Sequence, residues 1–184
     1  MSKTIKPWEK QEHKLYADIG RWSVSEKKFL LPNNKNKTCF VKNDPMTVAV
    51  LALTKDNKII VAKQFRPGPE TFMYELPGGH VEANEDLKEA AKRELVEETG
   101  FTSSSFIFVG DYSTCAYSSC RRAIFVAFEC ERTNDLREED KDVVEVQELT
   151  MTEFRKHLLD GNVTDGYGAY MALDKIVWDI IGNL

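Results

Sequence analysis

The run GHVEANEDLKEAAKRELVEETGF, Gly79 to Phe101, leaves the chain little choice but a loop, a helix and a stop. Asn84 is a good N-cap, and Glu85 and Asp86 place negative charge on the first turn, where the helix dipole favours it. Leu87, Ala90, Ala91 and Leu95 recur at three- and four-residue intervals, so one stripe can face a core, and Gly100 can supply a left-handed stop. The pattern predicts one helix from Glu85 to Thr99.

Glu94, Glu97 and Glu98 project from neighbouring positions on one side of that helix. Arg93 is spaced to pair with Glu89 and with Glu97, which offsets part of the repulsion but not all of it. A hard divalent cation would resolve the rest, because Mg²⁺ takes oxygen ligands, keeps several waters and is commonly shared with substrate phosphates. A bare glutamate-rich helix would read as a solvated, salt-bridged face; here the spacing is more specific. The stretch resembles the Nudix box, G-x5-E-x7-R-E-U-x-E-E-x-G-U with U apolar, and Gly79, Glu85, Arg93, Glu94, Leu95, Glu97, Glu98, Gly100 and Phe101 meet every specified position.

The resemblance implies a loop-helix-loop that holds Mg²⁺ or Mn²⁺ against a pyrophosphate. Glu94, Glu97 and Glu98, with a backbone carbonyl near Gly78, would be the metal ligands, and Glu85 and Arg93 would brace the loop. The implied activity is hydrolysis of a nucleoside diphosphate linked to another moiety.

With 184 residues, 42% of them hydrophobic, the chain can bury one full core. A net charge of −5 argues against nucleic-acid binding by a broad basic surface. Residues 1–14 hold no apolar run, and the longest apolar stretches, Val48 to Leu53 and Ala123 to Phe128, are too short to span a bilayer, so a cytoplasmic, membrane-free protein is expected. Cys39, Cys115, Cys120 and Cys130 follow no metal or disulfide spacing and read as reduced thiols.

Residues 1–11 are polar and lysine-rich, and read as a mobile end or an arm that orders against a partner. Leu15 to Ile19, Trp22 to Leu30 and Thr38 to Val41 read as a small β meander. Further strands are expected over Met46 to Leu53, Lys58 to Phe65, Thr71 to Leu76, Ser105 to Tyr112, Ala123 to Cys130 and Val143 to Leu149. Thr150 and Glu153 form a capping box before one closing helix, and Thr164-Asp165 opens another. The sum is an α/β chain with a mixed central sheet between helices. The resemblance implies a Nudix-like α/β/α sandwich over residues 43–184, preceded by an arm and β meander over residues 1–42 that serves dimerisation.

Val61-Ala62-Lys63-Gln64-Phe65-Arg66-Pro67, followed by Tyr74-Glu75-Leu76-Pro77-Gly78-Gly79, is similar to the branch of the family that includes ADP-ribose and other nucleotide-sugar pyrophosphatases. In that branch a strand-ending arginine, here Arg66, contacts substrate, and its fork of donors suits phosphate oxygens. The resemblance also implies a homodimer in which an aromatic such as Trp22 enters the partner's base pocket. Trp8 and Phe40 could stack a base in the same way. Tyr117 lies where a tyrosine is associated with dinucleoside polyphosphate hydrolases, which makes that activity the alternative; a non-catalytic nucleotide-sugar-binding module is a second. The general base would be Glu97 or would come from the charged loop before Val143, with Asp142 placed ahead of Asp140 and Glu139 because it abuts the strand.

Overall fold

The structure, a computed structural model, describes residues 5–20, 22–133 and 143–181, with side chains for all of these except residue 22 and residues 178–181. It divides into two compact units, Met1–Pro45 with Ser113–Arg121, and Met46–Tyr112 with Arg122–Leu184.

In the first unit β1 (Glu9–Ile19), β2 (Trp22–Leu30) and β3 (Asn36–Asn43) form an antiparallel sheet in that order. The expected meander is present, but β1 starts six residues ahead of Leu15, within the stretch read as a mobile arm. Cross-strand pairing explains the difference: Lys28 meets Glu12 at 2.7 Å, Lys14 meets Glu26 at 3.2 Å, and Trp8 sets its ring edge against Phe29. Polar, alternating residues that look unstructured in isolation thus find complementary charges on β2. The segment Ser113–Arg121 joins this unit through β3, where Lys42 N–H donates to the Tyr117 carbonyl and Ser119 N–H to the Lys42 carbonyl, both at 2.9 Å.

The second unit is built on β4 (Thr47–Thr54), whose residues are buried from Thr47 to Leu53. Such a run suits a strand covered on both faces. β9 (Arg121–Arg132) lies parallel to it on one side, and on the other β5 (Ile59–Arg66) runs antiparallel. β10 (Val144–Leu149) and β6 (Thr71–Glu75) pair with β5, while β7 (Phe101–Thr102) and β8 (Ser105–Ser113) pair with β9, completing a mixed seven-stranded sheet. Alternation along β4 then assigns the helices. Val48, Val50 and Ala52 pack against Ala90, Ala91 and Leu95 of α1 (Leu87–Thr99). Ala49, Leu51 and Leu53 pack against Phe154 and Leu158 of α2 (Met151–Leu159) and Ala169 and Ala172 of α3 (Gly166–Ile181). The α/β/α sandwich with a mixed sheet is as expected, and the Thr150–Glu153 capping box is formed in full. No helix among the described residues is long and apolar enough to cross a membrane.

One irregularity in this sheet places the site. β4 pairs with β5 only at Ala52–Ile60 and Leu53–Ile59. Over the rest of β4 the partner is the chain after β6: Val50 N–H donates to Pro77 O, Val48 N–H to Gly79 O and Val81 N–H to Met46 O, at 2.9 to 3.0 Å. The glycine loop is therefore wedged into the sheet, and only glycine fits at position 78, where a Cβ would stand 2.2 Å from the Val48 carbonyl oxygen.

Candidate active site

The box helix begins two residues later than the sequence suggests. Asp86, with φ −70° and ψ 142°, is the N-cap, and its carboxylate accepts from the N–H groups of Lys88 and Glu89. Asn84 instead turns the loop, in the left-handed region at φ 65°, a conformation asparagine tolerates. The stop is as expected, with Gly100 at φ 66° and its N–H on the Val96 carbonyl.

Arg93 is the hub of the loop. Its guanidinium donates through Nε and Nη2 to the two Glu85 oxygens at 2.8 and 2.9 Å, to the His80 carbonyl at 2.9 Å, and through Nη1 to Glu94 at 2.8 Å and Glu97 at 3.2 Å. The bonds to Glu85 and then Glu94 raise the Arg93 pKa, and Arg93 with the Glu82 N–H holds the Glu85 carboxyl down at about 2. The anticipated Arg93–Glu89 pair does not form: Glu89 meets Lys92 at 2.7 Å, because the loop delivers Glu85 to Arg93 first.

Glu94 is buried, at 6% exposure, directly over Gly79, where a Cβ would come within 2.5 Å of its Oε1. Glu98 accepts from Gly78 N–H at 2.9 Å. The Pro77 and Gly79 carbonyls are turned to β4, whereas the Gly78 N–H between them is turned to Glu98. Among the described residues no three acidic, histidine or cysteine side chains are gathered closely enough to cage a metal ion, since Glu94 and Glu97 lean to Arg93 and Glu98 to the loop amide. The chemistry of these residues still suits a hard divalent cation, since Glu94, Glu97 and Glu98 offer only oxygen donors from neighbouring positions of α1.

Arg66, at the end of β5, points its Nε and Nη2 at the two oxygens of Glu75, which Gln64 also reaches at 3.0 Å. Glu75 was legible only as a residue leading into the glycine loop. The signal that would have found it is hairpin register: Arg66 lies opposite Thr71 and Ala62 opposite Glu75, which sets Gln64, Arg66 and Glu75 on one face.

Asp142, Asp140 and Glu139 lie outside the described residues, as does the Trp22 side chain, although the Trp22 backbone pairs with Ile19 in β2. Tyr117 belongs to the first unit, exposed, with its N–H on Cys115 Sγ at 3.3 Å. In the same unit Trp8 is engaged by Phe29 and Lys37, and Phe40 by Tyr16.

Residues 44–168 match the NUDIX domain family model. The chain belongs to the Nudix family. It is 36% identical over 142 residues to an ADP-ribose pyrophosphatase of Bacillus subtilis (strain 168), covering 76% of this chain and 77% of that protein. It is 29% identical over 137 residues to a methanol dehydrogenase activator of Bacillus methanolicus, covering 73% and 74%. A solved structure described as an ADP compounds hydrolase superposes over the whole of both chains with a TM-score of 0.82 at 19% identity, which shows a shared fold. The Nudix box of this chain is thus carried on the Nudix fold, from the wedged loop through α1 to Phe101.

Proposed function

We propose that this Nudix hydrolase cleaves the pyrophosphate of a nucleoside diphosphate sugar, or of ADP-ribose, to a nucleoside monophosphate and a sugar phosphate. Two features support the reading: Glu94 and Glu98 packed against the Gly78-Gly79 loop, which with Glu97 and the Gly78 carbonyl would supply an all-oxygen donor set, and a fork-held Arg66 at the end of β5. The similarity to an ADP-ribose pyrophosphatase over three quarters of the chain supports the substrate class.

Mg²⁺ or Mn²⁺ held by these oxygens would neutralise developing charge on the phosphates and lower the pKa of the attacking water. Arg66 binds a phosphate oxygen. Glu97, whose side chain is 30% exposed, takes the water's proton, with Asp142 and Glu139 as the candidates from the preceding loop. Glu85 and Arg93 hold the loop and the helix together. Trp22 and Tyr117 contact the nucleoside, and residues 1–42 pair two copies into a homodimer, while residues 43–184 carry the hydrolysis. The free thiols among the described residues support work in the cytoplasm.

A panel of nucleoside diphosphate sugars, ADP-ribose, nucleoside triphosphates and diadenosine polyphosphates, with and without divalent cation, tests the reading. Expected is the highest kcat/KM on the sugars or ADP-ribose and none without metal; clearly faster cleavage of diadenosine polyphosphates overturns it. In the same assay Glu98→Gln, which keeps size but loses charge, should reduce turnover by about 10²-fold or more with the fold intact.

A further inference from the structure

Glu75 ends β6 just ahead of Leu76-Pro77-Gly78 and is 6% exposed. A carboxylate so buried needs partners. Its two oxygens take three donors: Arg66 Nε on one, Arg66 Nη2 and Gln64 Nε2 on the other. All three side chains reach one face because β5 and β6 pair with Gln64 opposite Met73 and Ala62 opposite Glu75.

The pairing consumes one edge of the guanidinium. Arg66 has five N–H groups, of which two go to Glu75. The other three, both on Nη1 and the second on Nη2, meet no acceptor among the described residues, and 43% of the side chain stays open. The bond that Arg66 donates to Glu75 raises its pKa, with the charges of Glu75 and then Glu98 adding to the effect against desolvation. Arg66 is therefore held along one edge by a buried anion while its remaining N–H groups stay open.

We infer that Glu75 is a positioning residue: it fixes the plane of Arg66 so that the remaining N–H donors meet an anionic oxygen of the pyrophosphate substrate. The inference rests on the assignment of Arg66 to substrate under the proposed function. A free arginine side chain would have to surrender its rotamer freedom on binding, a cost that the fork to Glu75 meets at folding instead. Its loss should therefore appear in binding, as a higher KM, and much less in kcat. A carboxylate that only braced the strand would behave differently, lowering stability with or without Arg66.

A double-mutant cycle on the full-length protein at saturating Mg²⁺ separates the two, using the pyrophosphate substrate that the wild type cleaves fastest. Glu75→Gln should raise KM about tenfold and leave kcat within about threefold, since a charge-assisted fork is replaced by one neutral acceptor. Arg66→Ala should raise KM at least as much, and the double variant should match Arg66→Ala alone. Multiplicative KM effects, a fall in kcat with KM unchanged, or a shift in the Mg²⁺ needed for half activation would each overturn the inference. Should Glu75→Gln unfold at the assay temperature, Glu75→Asp, which keeps the charge and withdraws it by one methylene, closes the same cycle with the same expectations. A wild type that cleaves no nucleoside diphosphate sugar or ADP-ribose sinks the substrate reading instead, and the cycle remains decisive on whichever pyrophosphate is cleaved.

Discussion

Gly78 and Gly79 both reject a methyl group, but against different obstacles. At position 78 the added carbon meets backbone, Val48 O at 2.2 Å and Ala49 Cα at 2.8 Å, which cannot yield without parting the loop from β4. Gly78→Ala should cost about 3 kcal/mol, read as a lowered denaturation midpoint. At position 79 the obstacle is the far end of a side chain, Glu94, which can swing away. Gly79→Ala should hold most of its stability yet lose about 10²-fold in kcat/KM, because a box carboxylate has been displaced. Equal losses of stability in the two variants would contradict this division. Glu85 offers a pH test. Its pKa is depressed to about 2, so its bond to Arg93 stabilises the fold above the ordinary carboxylate range and is lost as pH falls from about 4.5 toward 2. The Tm difference between wild type and Glu85→Gln should therefore be largest near neutral pH and shrink through that window; a constant difference would refute the linkage. At this scale the box was legible because its spacing is local. Glu75 was not, because its role depends on which residue of β5 it faces.

At the scale of elements, the start of α1 shows how two good signals compete. Asn84 and Asp86 are both strong N-cap residues, and sequence alone favours the earlier one. The loop decides for Asp86, since Glu82 N–H donates to Glu85 Oε2 and Glu85 N–H to Glu82 O, a turn that requires Asn84 in the left-handed region. Asp86→Ala should then destabilise by about 1 kcal/mol, while Asp86→Asn stays close to wild type. Chemical denaturation of the two variants checks this, and a loss below about 0.3 kcal/mol for the alanine would show that the cap lies elsewhere. Strands and helices were otherwise legible from apolar periodicity and capping residues, as at Thr150 and Glu153. The wedge of Pro77 to Val81 against β4 was not. Nothing local in that loop records a partner some thirty residues earlier, and the consequence is a Gly78 whose N–H is turned to Glu98 while its neighbours' carbonyls bind β4.

At the scale of the whole molecule, the union of Ser113–Arg121 with the amino-terminal strands lay beyond sequence reasoning, because it rests on backbone bonds to Lys42 across more than seventy residues. The amino-terminal sheet itself argues for a second copy. Leu15, Tyr16 and Ile19 on β1 are 60, 63 and 70% exposed, and Phe40 on β3, edge-on to Tyr16, is 49% exposed. Scattered apolar residues need no cover, but Tyr16 and Phe40 touch, with Leu15 and Ile19 on the same strand as Tyr16, on a sheet of three strands that is marginal by itself. Two-fold pairing of identical surfaces is the commonest way to bury such residues. The chain should therefore scatter light as a particle of about twice 21.0 kDa at micromolar concentration. Replacing Leu15 and Ile19 by aspartate should shift it toward the monomer while circular dichroism stays unchanged, since neither side chain contributes to a buried cluster among the described residues. If the homodimer also completes the nucleoside contacts, the same double variant should raise KM more than it lowers kcat. A wild type that scatters as a 21.0 kDa particle would refute the dimer and, with it, any contribution of Trp22 to a partner's site.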